Sequence, residues 1–193
     1  MTTRRRLSAG YILLEVLVTI VILVFGLLGL AGFQLRTSVA EHEAYQRVQA
    51  LILVQDMTER IYANRANAAA YVQDDIGSSG TVRTDCAGLT GKDKDVCEWH
   101  NALVGASEVL AGTSVGTLLG GQGCVTAGAA NEYVVTVVWQ GFMPTVTPAA
   151  PCGQNDYGNE LLRRAVSMRV QISALNALCV PLAIPCPLPP PSP

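Results

Sequence analysis

The chain has 193 residues, enough for one domain or a small domain with an appendage. Half of its residues are hydrophobic and only 15% are charged, a balance too apolar for an ordinary soluble domain unless one segment carries the excess. The formal charge is -2; without Arg4, Arg5 and Arg6 the 13 basic side chains fall to ten against 15 acidic ones, which argues against a nucleic-acid binder.

The excess lies between Tyr11 and Phe33, a run whose only group expected to be charged at neutral pH is Glu15. As a helix this run is roughly 35 Å long, and a bilayer hydrocarbon core is about 30 Å thick, so it can span. A central acid costs about 2.5–3.5 kcal/mol, but each Leu, Ile, Val or Phe returns about 0.3–0.6, and more than a dozen are present. Insertion therefore wins. Arg4, Arg5 and Arg6 keep the amino terminus cytoplasmic and send the rest of the chain outward.

An intramembrane acid needs a partner. Cleavage after Gly10 would create a cationic amine on Tyr11, and Glu15 could pair with the Tyr11 amine of a neighbouring copy inside a helical assembly. Such a pair supplies register more than stability. The arrangement Gly10-Tyr11-Ile12-Leu13-Leu14-Glu15 behind a basic leader resembles the class III leader junction of type IV prepilins and type II secretion pseudopilins. In that family a membrane aspartyl peptidase cuts after the glycine and methylates the new amino terminus. The resemblance implies that Gly10 ends the leader, that Tyr11 is the N-methylated first residue in place of the usual phenylalanine, and that Glu15 is the assembly acid.

Three plainer readings compete. A signal peptidase site at Gly29-Leu30-Ala31 would follow an apolar core longer than the usual 7–15 residues and leaves Glu15 unexplained. A single-pass anchor explains the length but neither Gly10 nor Glu15. A core helix of a soluble protein has nothing else in the chain to cover it.

Beyond Phe33 the helical signal turns amphipathic: Val48, Leu51, Val54, Met57 and Ile61 recur at three- and four-residue steps, with Arg47, Gln49, Asp56, Glu59 and Arg60 elsewhere on the cylinder. No proline interrupts residues 11–70. One helix is expected from Tyr11 to about Asn64, with residues 11–33 as membrane and filament-core segment and 34–64 packing a stripe on a globular head. Gly26, Gly29 and Gly32 lie within it, and in lipid such small residues allow close helix approach. The Phe25–Gln34 stretch, with Asp56, Glu59, Arg60, Ala63 and Asn64, is similar to the PilV-type minor pilins, low-abundance subunits that take part in pilus assembly.

The head is expected over residues 65–180. Residues 65–92 read as an irregular connection, followed by a second helix capped by Asp93 or Asp95 and running through Val96, Trp99, Leu103 and Val104. Strands are expected at Tyr133–Gln140 and Ala165–Ile172, the second with one wet face, and another near Val115–Leu119 or Gly123–Thr126. The run Gly120-Gly121-Gln122-Gly123 lacks the lysine of a phosphate cradle and reads as loop. Gly141–Arg164, with three prolines, is too long for a tight hairpin. The fold class is α+β: a long amino-terminal helix packed on a small antiparallel sheet, which is also the pilin fold the resemblance implies.

Cys86, Cys97, Cys124, Cys152, Cys179 and Cys186 all follow the proposed span. An even count in an oxidising compartment reads as disulfides, with 15 possible full pairings that the sequence does not resolve. Pairing of neighbours is favoured: Cys86 with Cys97, Cys124 with Cys152, Cys179 with Cys186. The family resemblance supports the middle pair most. A metal is the rival, since Cys97-x-x-His100 is a half-site, but no second half accompanies it and thiolates compete poorly with oxidation outside the cytosol. No metal and no cofactor are expected.

His42 and His100 lack a nucleophile pattern, and no phosphate or dinucleotide motif is present, so an enzyme is not expected. Residues 181–193 form a proline-rich tail that cannot join a sheet. The expectation is a minor pilin that takes part in initiating pilus assembly, with a minor pseudopilin of type II secretion as the alternative. The resemblance implies an inner-membrane helix with a periplasmic head that later enters an extracellular pilus. Implied partners are the prepilin peptidase and N-methyltransferase, the major pilin, other minor pilins and a tip adhesin; nucleic acid is not among them.

Overall fold

The computed structural model describes residues 8–106, 109–110, 113–114 and 118–173. The leader up to Leu7, Cys179, Cys186 and the proline-rich tail lie outside them. The chain divides into two compact units between Tyr45 and Gln46.

Helix α1 (Ser8–Ala63) runs for 56 residues, in keeping with a stretch that has no proline. From Tyr11 to Leu35 its large apolar side chains are 44–74% exposed. Thr19 and Thr37 donate their hydroxyls to the carbonyls of Val16 and Phe33 on the same helix, so these polar groups are satisfied internally. An outward-facing apolar cylinder of this kind gains nothing from the subunit's own fold.

In the second unit α1 buries Ala50, Leu53, Val54, Met57 and Ile61, which recur at the three- and four-residue steps of one helix face. The expected stripe is corrected at two positions, since Val48 is 53% and Leu51 38% exposed. At 3.6 residues per turn these two point away from the sector of Ala50, Val54, Met57 and Ile61. The head core therefore uses a narrower face than the apolar composition suggests.

Residues 65–92 hold more structure than expected: a 3-10 segment (Arg65–Tyr71), strand β1 (Gln73–Ile76) and a 3-10 turn (Cys86–Gly88). Helix α2 (Gly91–Leu103) begins after Thr90, so neither Asp93 nor Asp95 is its cap. Asp95 instead bonds Arg60 and Tyr71. Two-residue strands β2 (Val109–Leu110) and β3 (Thr113–Ser114) pair with each other.

The main sheet is antiparallel, in the order β1, β4 (Gln122–Ala127), β5 (Glu132–Gln140), β6 (Arg163–Gln171). The β4–β5 hairpin turns through residues 128–131, where Asn131 takes φ +57, a left-handed conformation that asparagine tolerates. Gln122, expected in a loop, belongs to β4 and pairs with Val138; Gly123, which the sequence offered both to that loop and to a strand Gly123–Thr126, is in β4 and pairs with Val137. Strand β5 is apolar along its length because it is covered twice. Val135, Val137 and Trp139 join the helix-side core with Val125 and Val170. Val138 packs on the other face with Cys124 and Cys152. On β6, Val166 and Met168 pack against the core while Ser167, Arg169 and Gln171 are exposed, which matches the alternation of its sequence.

Candidate functional site

The residues singled out for assembly lie on α1. Tyr11 is 74% exposed, and Glu15, also exposed, follows it by one helical turn. Glu15 makes no ion pair among the described residues. This helix is long and apolar enough to cross a membrane, and none of its most apolar stretch is buried. A Cβ built at Gly26, Gly29 or Gly32 would meet nothing within 4 Å, so the subunit's own packing does not require glycine there.

In the second unit, α1, α2 and the sheet share one core. Trp99 is fully buried, and its indole N–H donates to the Leu53 carbonyl at 2.8 Å. Its ring lies on Gly123, where a Cβ would sit 2.1 Å from Cη2. Glycine on β4 is thus a packing requirement set by α2.

Arg60, near the end of α1, donates to both carboxylate oxygens of Asp56 at 3.1 Å, to Glu98 at 2.7 Å and to Asp95 at 3.3 Å. Burial alone would weaken the Arg60 cation, but Glu98 and Asp56 outweigh it and hold its pKa above the usual value. The bond from Arg60 holds the Glu98 carboxyl below its usual range. Tyr71 donates its hydroxyl to Asp95 and accepts from Asn64 at 3.2 Å. Burial, then the bond to Asp95, pushes the Tyr71 hydroxyl up to about 12. Sequence reasoning noted several of these residues separately; pairing them required α2 to be placed against the end of α1.

Two disulfides staple the head: Cys86–Cys97 and Cys124–Cys152. These are two of the three neighbour pairs. Cys97 and His100 do not act together as a metal half-site, since the sulfur is bonded to Cys86 and both ring nitrogens are engaged. His100 Nδ1 accepts from the Gly77 amide at 3.1 Å, and Nε2 lies 2.8 Å from the Thr81 carbonyl, so the proton sits on Nε2. His100 thereby holds the residues after β1 against α2. Asp85 approaches the same disulfide, but sulfurs spent on each other offer no thiolate ligand.

Arg163 was not singled out in the sequence, yet it organises the long loop before β6. It is 1% exposed, pairs with Glu160 at 2.7 Å and donates to the carbonyls of Ala150, Cys152 and Pro148 at 2.7, 3.0 and 3.2 Å. The amide of Asn155, then Arg163, holds the Glu160 carboxyl below its usual range. An arginine at the start of a strand carries no signal of burial in a lone sequence. Only the disulfide-closed loop creates the carbonyl cluster it fills.

A cleft of about 580 Å³ lies beside these elements, lined by Gln46, residues 77, 78, 80 and 104, residues 118–122, and Phe142. Gln46 and Gln122 are 6% and 8% exposed, and the Oε1 atom of each is buried without a hydrogen-bond partner. Leaving such an acceptor unmatched costs about 1–3 kcal/mol. Nothing in the sequence distinguished either glutamine. A smaller cleft of about 330 Å³ is bordered by Asp74, Asp75 and Asp156, all exposed.

Among known families, the model for Tt1218-like proteins, described as type IV pilin Tt1218, matches residues 32–99. Neither the curated proteins nor the solved structures yield a match. The matched segment includes the outer part of α1 and most of α2. Over residues 32–99 the chain is similar to a type IV pilin, and its long helix on a four-stranded antiparallel sheet is consistent with the pilin α+β fold.

Proposed function

We propose that this protein is a minor subunit of a type IV pilus, anchored in the inner membrane by Tyr11–Phe33 and later incorporated into the filament. The observation that supports it best is the exposed apolar first part of α1 with a single acid near its start, continued by a segment matching a type IV pilin. In this reading prepilin peptidase cuts after Gly10 and Tyr11 is N-methylated. Glu15 then pairs with the Tyr11 amine of a neighbour, which offsets burial of both charges in an apolar filament core. Gly26, Gly29 and Gly32, open on the lone subunit, allow close approach of neighbouring helices. The head contacts the major pilin, other minor pilins and a tip adhesin.

The direct test is the mature amino terminus. Mass spectrometry should give N-methylated Tyr11; a start at Gly32 would identify signal peptidase processing and overturn the reading. Glu15→Ala should insert and be processed yet fail to join filaments, whereas normal incorporation would refute the pairing. Deletion of the gene should abolish or reduce surface pili and spare enzyme secretion. The opposite result would place the chain in a type II secretion pseudopilus.

A further inference from the structure

The two edges of the main sheet are built differently. β1 covers four residues, its register with β4 shifts between Gln73 and Ile76, and Asp75 takes φ +58, so that edge is short and bent. β6 runs for nine residues in unbroken register with β5 and contains neither proline nor glycine. Among the described residues no strand pairs with its outer side. The amides of Gly141 and Ile172 donate to the carbonyls of Leu162 and Asn131 at the two ends of the β5–β6 ladder. Hydrogen-bonded pairs alternate along such a ladder, so Arg164, Val166, Met168 and Val170 bond to β5, while Ala165, Ser167, Arg169 and Gln171 turn their N–H and C=O groups outward. The long loop meets this edge at Leu161, before β6 begins, where the Thr145 amide donates to the Leu161 carbonyl at 2.7 Å.

Helix α1 overhangs the open edge. Thr58 is buried against β6, its hydroxyl 3.8 Å from the Met168 sulfur. At about 100° per residue, Leu51 and Tyr62 lie about 20° and 40° beyond Thr58, on the side away from Ala50, Met57 and Ile61. Both are exposed. The space beside β6 therefore has backbone donors and acceptors along one wall and two large apolar side chains above it. A fifth strand fits there: its alternate side chains would enter under Leu51 and Tyr62 and extend the core past Val166 and Met168. Its other side chains would meet Ser167 and Arg169 on the opposite face of the sheet. The Arg169 side chain is 81% exposed, and β6 holds three arginines and no acid. An incoming strand with an acid opposite Arg169 complements this edge, whereas the β6 of another copy would bring like charge to it. Residues 174–193 carry no acid either.

We propose that β6 and the overhanging face of α1 receive an extended, acid-bearing segment of a partner protein as a fifth strand, antiparallel to β6. The site does not depend on whether the chain enters a pilus. The test uses the full chain in lipid nanodiscs with its disulfides intact, and reads amide hydrogen exchange residue by residue. The probe, N-acetyl-Val-Glu-Val-Thr-Val-amide, sets its Glu opposite Arg169 and its Thr opposite Ser167. Added at about ten times its dissociation constant, it should slow exchange at Ser167 and Arg169 by about tenfold. N-methylation of its Glu and Thr, whose amides face β6 in this pairing, should abolish the protection. N-methylation of its central Val, whose amide faces away, should not.

Arg169→Ala should weaken the peptide about threefold and erase its advantage over the analogue with Gln in place of Glu. Tyr62→Ser, at an exposed position, should fold normally and weaken binding severalfold. Unchanged exchange in the presence of the peptide overturns the proposal, as do equal effects of the two methylation patterns or unchanged binding in either folded variant. Slow exchange at Ser167 and Arg169 before any peptide is added also overturns it. If that protection is independent of protein concentration, the edge belongs to the chain's own residues 174–193; if it rises with concentration, to a second copy.

Discussion

The indole of Trp99 reaches two elements at once, donating to the carbonyl of Leu53 on α1 and covering Gly123 on β4. One side chain from α2 thus sets the spacing of helix and sheet. Gly123→Ala should force Trp99 aside and lower stability by about 1–3 kcal/mol in denaturant unfolding. Gly88→Ala, where an added Cβ meets nothing and φ is not left-handed, should change it by less than about 0.5 kcal/mol.

Arg163→Ala removes a buried cation and leaves Glu160 and three loop carbonyls without their donor. The expected loss is about 3–5 kcal/mol. Limited proteolysis should show new cleavage between Gly141 and Leu162, while the β4–β5 hairpin stays protected.

Alkaline unfolding should report on Tyr71. Its folded pKa lies above the unfolded value near 10, so its stabilising effect is complete below pH 10 and is lost as pH rises toward about 12. The loss should be on the order of 2 kcal/mol. Tyr71→Phe should start less stable but lose less over that interval, and the difference between the two unfolding curves measures this group alone.

Glu98 carries the opposite sign. Its folded pKa is depressed by Arg60, so its contribution is present above the usual carboxylate range and is lost as pH falls through the folded value. Glu98→Gln should flatten the acid limb of the stability profile and leave the alkaline limb unchanged. Because this pair is part-exposed, added salt should reduce the effect.

Reduction of Cys124–Cys152 opens a loop with a sequence separation of 28. Chain entropy assigns the closed loop roughly 3.5 kcal/mol. A Cys124→Ala, Cys152→Ala variant should therefore unfold at lower denaturant, and the partly buried Tyr157 beside that disulfide should become accessible to iodination.

The sequence by itself determined the elements whose physics is local. Hydropathy and the absence of proline define α1, β-branched runs define β5 and β6, and the single acid at Glu15 in an apolar run stands out before any fold is known. Cysteine order favoured the two disulfide pairs seen here, because neighbours in the chain are the easiest to close. Tertiary structure alone decided which apolar positions of α1 are core. Val48 and Leu51 extend the apolar surface around the helix beyond the sector of Met57 and Ile61, and the placement of α2 and the sheet selects the sector that is buried. It also turned Gln122 from loop into strand and decided for strand at Gly123, since a glycine needed to seat Trp99 reads locally as a breaker. Arg163, His100 and the glutamines at the cleft took their surroundings from residues distant in the chain. Hydrogen bonds of that kind leave no period or spacing in a sequence, so they become legible only once the segments meet.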